Sequence, residues 1–267
     1  MKDLIAIIMA GGLGKRMESN IPKVLHNFNN KPMIVHIIEQ VNYINPKKII
    51  IVVGKFKSLI ENKISEYVSL DNIIFINQPY PLGTGNAILC CRKTLYNYHN
   101  SNTIILSGDT PCISKFTLER ICNSTHDINI VTTKLENPYG YGRIIHKYDK
   151  FSEILEEKDC SEELKKINYV NCGIYYLDTL LLFSYLPFIN NENAQNEYYL
   201  TDIIKLIKEG ELKDINEIFI TKENQIEILG VNTKEQLLEL ENMLTTSNKN
   251  SMPFCFEEKY DISEKWL

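Results

Sequence analysis

The chain has 267 residues and a formal net charge of −5, enough for one large α/β domain or two small ones, each with a sizeable core. No global basic field exists, which argues against nucleic acid as the main partner; an acidic chain that binds anions must gather positive charge locally. Seven cysteines include no Cys-x-x-Cys pair and place Cys90 beside Cys91, so reduced thiols in a reducing compartment are expected, without a zinc site, and no apolar run approaches a membrane helix in length.

In chain order, Leu4 to Met9 reads as a buried strand, too closely followed by glycines to be a signal peptide. Lys31-Pro32 opens a helix carrying the apolar stripe Met33, Ile34, Ile37, Ile38 and Val41. Ile49 to Val53 is a β-branched strand, Phe56 to Tyr67 a helix, and Ile73 to Ile76 a short strand. A helix is predicted from Asn86 to about Tyr96, a strand over Thr103 to Leu106, a Ser114-capped helix to about Cys122 and a strand over Ile128 to Leu135. This alternation is the pattern of a parallel sheet with helices on both faces. The second half differs. Arg143 to His146 and Phe151 to Leu155 form a hairpin around Tyr148-Asp149-Lys150. Tyr169 to Leu177 is a strand, Tyr199 to Lys208 a helix, and Ile215 to Ile220 and Ile226 to Val231 are short strands. Thr233 to Gln236 is a capping box for a last helix to about Met243. From Thr245 the chain reads as a loosely held tail that Phe254, Phe256 and Trp266 could dock.

The chemistry concentrates in Met9-Ala10-Gly11-Gly12-Leu13-Gly14-Lys15-Arg16-Met17 and Pro22-Lys23. A strand running into a glycine-rich basic loop can present N–H groups and cations to phosphates. It is not a Walker loop, since Arg16 follows Gly14-Lys15 where Ser or Thr is needed. It is not a dinucleotide fingerprint, since Met17 stands where a third glycine belongs, though Glu39 is placed like a ribose acid. Ligands of an open parallel sheet bind at the carboxyl ends of strands. Ala10 to Lys23, Gln78 to Gly85, Ser107 to Pro111 and the turn at Asn232 all fall there. Asp109 follows a buried strand and is either a turn residue or a ligand for Mg²⁺, which prefers one or two protein oxygens together with phosphates.

With Pro22-Lys23-Val24-Leu25, the glycine-rich stretch resembles the signature of sugar-nucleotide pyrophosphorylases. Gln78 to Gly85, Gly108 to Pro111, Tyr139 to Ile144, Glu156 to Asp159, Asn171 to Ile174, Glu197 to Asp202 and Gly230 to Asn232 follow in order. As a set they resemble the uridyltransferase domain of the bacterial bifunctional N-acetylglucosamine-1-phosphate uridyltransferases, from about Leu4 to Met243. The resemblance implies a Rossmann-like open mixed α/β sheet of the nucleotide-diphospho-sugar transferase type, with a small β-rich sugar-binding subdomain. Residues 1–244 would form the nucleotidyltransferase domain and 245–267 a tail. It implies Mg²⁺-dependent formation of UDP-N-acetylglucosamine and pyrophosphate from UTP and N-acetylglucosamine 1-phosphate, in the cytoplasm (a host's, if the source is a virus). The rival readings are another sugar-1-phosphate nucleotidyltransferase, of the UDP-glucose or dTDP-glucose type, and an inactive subunit of the same fold. A homo-oligomer is possible. No nucleic acid or membrane partner is implied.

By the same resemblance Arg16 and Lys23 would stabilise the triphosphate, and Asp109 and Asn232 would hold Mg²⁺. Ala10, Gly11 and Gly12 with Gln78 and Gly83 would read the uracil. Thr84, Gly142, Glu156 and Asn171 would hold the N-acetylglucosamine ring, and Tyr199 and Thr201 would line the sugar and phosphate side. Each also has a plainer reading: Gln78 as a turn cap, Glu156 as a solvated hairpin charge with Glu157 equally placed, the tyrosines as core. Lys15 replaces a usual Thr and Ser107 a common Tyr. The hexapeptide repeats that carry acetyl transfer in the bacterial proteins are absent from this chain, so no acetyltransferase activity is expected.

Overall fold

A computed structural model describes residues 2–12 and 14–249; Leu13 and residues 250–267 of the expected tail, with Phe254, Phe256 and Trp266, lie outside the described residues. The first strand, β1 (Asp3–Met9), is apolar on both faces. Ile5 and Ile7 join one helical layer and Ala6 and Ile8 the other, as period-two alternation in a doubly covered strand requires. A small hairpin, β2 (Asn27–Phe28) and β3 (Lys31–Pro32), precedes α1 (Met33–Tyr43). Then come β4 (Lys48–Val53), α2 (Lys57–Ser65) and β5 (Ile73–Asn77). They are followed by α3 (Thr84–Cys90), α4 (Arg92–Tyr96), β6 (Ser101–Ser107), α5 (Lys115–Cys122) and β7 (Ile128–Lys134). The second half supplies β8 (Arg143–Lys147), β9 (Lys150–Leu155), β10 (Tyr169–Asp178), α6 (Thr179–Tyr185), α7 (Thr201–Glu211), β11 (Asn216–Phe219) and α8 (Lys234–Lys249).

The main sheet runs β11-β7-β10-β6-β1-β4-β5, with the β8–β9 hairpin attached through β10. β1 pairs in parallel with both β4 and β6, so the chain winds outward on one side and then crosses to the other. The loops after β1, β4, β5 and β6 therefore open into one crevice at the switch point. β10 is antiparallel to β6 and β7, which makes the sheet mixed. The hairpin turns at Tyr148 and Asp149, both at positive φ. These features agree with the α/β mixed-sheet reading, and the buried side chains form one large cluster on each face of the sheet and a smaller third one of Phe28, Met33, Cys112, Val231, Leu240 and Leu244.

Four local expectations are corrected. Ile226 to Val231 is not a strand; a 3-10 helix spans Lys222–Ile228. Beyond the end of β11 the Gln225 side chain takes over the edge of β7, its Nε2 donating to Thr133 Oγ1 (3.1 Å) and the Lys134 carbonyl (2.5 Å). Lys31-Pro32 does not open a helix. Asn29 and Asn30 take positive φ, a tight turn asparagine tolerates, and Lys31 pairs back onto Phe28, so the helix starts at Met33. The helix placed from Asn86 begins at Thr84 and divides at Cys91. The last helix runs past Met243 to Lys249. Six cysteines are free thiols among the described residues, and no helix among them is long and apolar enough to cross a membrane.

Candidate active site

The glycine-rich loop leaves β1 at Ala10, which is buried, with its N–H donating to the Val52 carbonyl (2.8 Å). Gly11 follows, where a Cβ would lie 2.8 Å from Gln78 Oε1, so only glycine lets that side chain approach. Gly14 has φ 58°, and a Cβ there would stand 2.7 Å from the Lys23 Cβ. The loop thus folds onto the 3-10 turn Lys23–Leu25, while a second such turn, Lys15–Met17, carries Arg16.

The loop cations meet oxygens from two distant segments. The Lys23 ammonium donates to Asp109 Oδ2 and to Asn232 Oδ1, the latter at 2.9 Å. Arg16 Nη2 donates to the same Asn232 oxygen at 3.0 Å. Asp109 sits just beyond β6 and Asn232 just before α8. Their segments are joined by the Val231 N–H donating to the Asp109 carbonyl (2.9 Å). Half of the expected capping box is formed: the Gln236 N–H donates to Thr233 Oγ1 (3.2 Å), but Gln236 Oε1 accepts from the N–H of Asn232, one residue before the cap (2.7 Å), which holds Asn232 in place.

Two cavities meet at this seam, and Met9, Thr84, Ser107 and Asp109 border both. The first, about 480 Å³, is lined by Ala10, Gly11, Gly12, Lys15, Lys23, Gln78 and Gly83. Gln78 is buried; its Nε2 donates to the Gly83 carbonyl (3.1 Å) and Asn86 Oδ1 (3.0 Å), which leaves its carbonyl oxygen beside Gly11 as an acceptor. The second, about 510 Å³, is lined by Arg16, Gly142, Glu156, Asn171, Thr201 and Asn232, with Tyr139, Tyr141, Tyr175 and Gln236. Thr201 Oγ1 donates to Glu156 Oε1 (2.9 Å), and Asn171 Nδ2 to the Tyr175 hydroxyl (2.6 Å). Burial pushes the Glu156 carboxyl above its ordinary range, aided by repulsion from Asp202, Asp159 and Glu197 and opposed by the Thr201 hydrogen bond. Tyr199 borders neither chamber; it lines a separate cavity of about 330 Å³ on the other side of Glu156. The two adjacent glutamates are placed differently. Glu156 faces the second chamber, and Glu157 pairs with the buried Arg143 (2.7 Å).

The sequence reading passed over Tyr175, Tyr141 and Gln236. Tyr175 carried a signal: it lies four residues after Asn171 on the same strand, hence on the same face. Gln236 was seen as a helix cap, without the cap's consequence for Asn232.

The oxygens of Asp109 and Asn232 already converge on one cation, the Lys23 ammonium. One carboxylate and one amide oxygen, facing a chamber able to admit phosphates, is a donor set that suits a hard divalent ion. The residues therefore fit a metal that shares its coordination with a bound anion.

The family model for nucleotidyl transferases matches residues 5–251. The chain is 44% identical over 245 residues to the "Probable UDP-N-acetylglucosamine pyrophosphorylase" of Acanthamoeba polyphaga mimivirus, covering 90% of this chain and 96% of that protein. It is 39% identical over 250 residues to the bifunctional protein GlmU of Sulfurovum sp. (strain NBC37-1), covering 92% of this chain and 55% of the other. The chain thus spans about half the length of the bifunctional relatives it matches. Among solved structures, UDP-glucose pyrophosphorylase complexed with UDP-glucose superposes with a TM-score of 0.72 at 18% identity, over 92% of this chain and 100% of that one. That likeness concerns the fold.

Proposed function

Because the chain belongs to the nucleotidyl transferase family, we propose that it joins UTP to N-acetylglucosamine 1-phosphate, releasing pyrophosphate and UDP-N-acetylglucosamine. The observation that carries this reading is the pair of cavities sharing one seam, with Lys23, Arg16, Asp109 and Asn232 gathered on it. The nucleotide takes the first cavity and the sugar phosphate the second, so the two phosphates meet at the cations. An oxygen of the sugar phosphate attacks the α-phosphorus in line, the bond from that phosphorus to the bridging oxygen breaks, and pyrophosphate leaves with the bond's electrons. Such transfers depend on positioning and charge stabilisation and need no side-chain nucleophile.

Lys23 and Arg16 leave their present oxygen partners to hold phosphate oxygens. Uracil fits the free carbonyl oxygen of Gln78, because its ring N3–H is a donor where the cytosine N3 is an acceptor. Glu156, Asn171 and Thr201 supply hydrogen-bonding groups to sugar hydroxyls and the amide. Asp109 and Asn232 would hold Mg²⁺, which when bound offsets charge on the triphosphate. The test is pyrophosphate release over a panel of nucleoside triphosphates and sugar 1-phosphates with Mg²⁺. UTP with N-acetylglucosamine 1-phosphate should give the highest kcat/KM. A preference for glucose 1-phosphate or for dTTP would assign the protein to a neighbouring activity instead.

A further inference from the structure

We propose that Arg143 and Glu157, neither of which lines the second cavity, form a positioning pair that sets its geometry and determines that Glu156 enters it. The inference rests on the reading that this cavity takes the sugar phosphate.

Arg143 is the first residue of β8 and is 1% exposed. Its guanidinium binds three separate segments. Nη1 donates to the Tyr141 carbonyl; Nη2 and Nε donate to the Lys165 carbonyl at 3.0 and 3.3 Å; and Nη2 pairs with Glu157 Oε2 at 2.7 Å. The same Glu157 oxygen accepts from the Gly140 N–H at 3.3 Å. The pair therefore ties the 139–142 loop, the 156–159 turn and the 164–166 turn together. A planar fork with five donors can do this; a lysine in its place reaches far fewer acceptors.

These attachments lie immediately behind the cavity wall. Gly142 precedes Arg143, and its carbonyl accepts from the Asn171 N–H (2.9 Å). Leu155, which pairs with Arg143 across the hairpin, precedes Glu156. The wall has little slack, since a Cβ on Gly142 would lie 3.1 Å from Ile154 Cγ2 and 3.6 Å from Glu156 Oε2. The two adjacent glutamates have different partners. Glu157 is neutralised by Arg143, while Glu156 is held by the Thr201 hydroxyl and keeps its remaining oxygen for the cavity. Loosening the pair moves Gly142 and Glu156 without touching the loops after β1, β4 and β5 that build the nucleotide side. Misplacement by about an ångström is enough to reduce productive binding by an order of magnitude or more.

The experiment measures steady-state kinetics against each substrate for Glu157→Gln and Arg143→Lys, with Glu156→Gln for comparison and thermal unfolding to confirm folding. The expected result is a tenfold or larger rise in KM for N-acetylglucosamine 1-phosphate in both pair variants, with KM for UTP within twofold of wild type. If Arg143→Lys does not fold, the isosteric Glu157→Gln carries the test. An unchanged sugar-phosphate KM in Glu157→Gln, with a raised one in Glu156→Gln, overturns the positioning role and leaves the cavity assignment standing. Equal rises in both KM values overturn it as well, since they indicate general loosening. An unaffected sugar-phosphate KM in Glu156→Gln removes the cavity assignment and this proposal with it.

Discussion

Replacing Lys23 with alanine should move two observables in opposite directions. The Lys23 ammonium contacts Asp109 Oδ2 and lies 2.9 Å from Asn232 Oδ1, and the Lys23 and Asp109 side chains are 15% and 14% exposed. At an effective dielectric of ~20, opposite unit charges ~4 Å apart attract by about 4 kcal/mol. Desolvation and residual water contact reduce the net value to about 1–2 kcal/mol. A divalent ion reaching the same two oxygens must displace the ammonium and forgo that stabilisation. Its removal should therefore strengthen nucleotide-free metal binding about tenfold, the equivalent of ~1.4 kcal/mol. Turnover should instead fall by ~10²-fold or more, the scale for losing a preorganised charge-stabilising donor. Mn²⁺ binding to the nucleotide-free protein, followed by water-proton relaxation, reads the first effect, and pyrophosphate release reads the second. Mn²⁺ affinity unchanged in Lys23→Ala and also in Asp109→Ala would place the ion elsewhere. Turnover within threefold of wild type in Lys23→Ala would remove its catalytic role.

Two further outcomes follow from the same geometry. In a Mg²⁺ titration of turnover, Asp109→Ala should be nearly inactive at every concentration. Asn232→Ala, which removes a neutral oxygen, should be damaged less and partly rescued by raised Mg²⁺; identical Mg²⁺ dependence in all three proteins would contradict the metal assignment. Glu156→Gln should be more stable than wild type near pH 7. The folded Glu156 carboxyl, raised chiefly by burial, keeps its proton to higher pH than the unfolded one. The native state thus binds more protons through that window and loses stability as pH rises across it. The difference in thermal midpoint between variant and wild type should grow from about pH 4 to pH 7, and a flat difference would contradict this account.

Much of the architecture was legible because its signals are local. β1, β4 and β6 are continuous apolar runs between turn residues, and α1 and α7 carry clear stripes, so burial on one or both faces could be read directly. The failures had different causes, one a distant partner and one a local signal hidden in a strand. Ile226 to Val231 has strand composition, yet beyond β11 the adjacent edge of β7 is met by the Gln225 side chain. Helix α6 went unassigned although Asp178 accepts from the Leu180 and Leu181 N–H groups at its start (2.9 and 3.1 Å), a cap hidden at the end of a ten-residue strand.

The site shows the same division. Motif order and the rule that ligands gather at strand ends pointed to many of the residues that border the two cavities, but Tyr199 borders neither, and Tyr141, Tyr175 and Gln236 border the second without having been singled out. How the charges around the site are matched was not legible in this way, because most of the matches join segments far apart in the chain. Lys23 meets Asp109 and Asn232, Arg16 meets Asn232, and Arg143 meets Glu157. Lys15 differs: it lines the first cavity, and no hydrogen bond or ion pair engages its ammonium among the described residues. The charged side chains lining that cavity are Lys15, Lys23, Asp109 and Glu197, and of the two lysines only Lys23 is paired, with Asp109. Under the proposed function, Lys15 can therefore meet a phosphate without first giving up a partner. If the loop takes a triphosphate as proposed, Lys23 engages it only by giving up its contact with Asp109, so the strength of that contact controls how readily the loop takes hold.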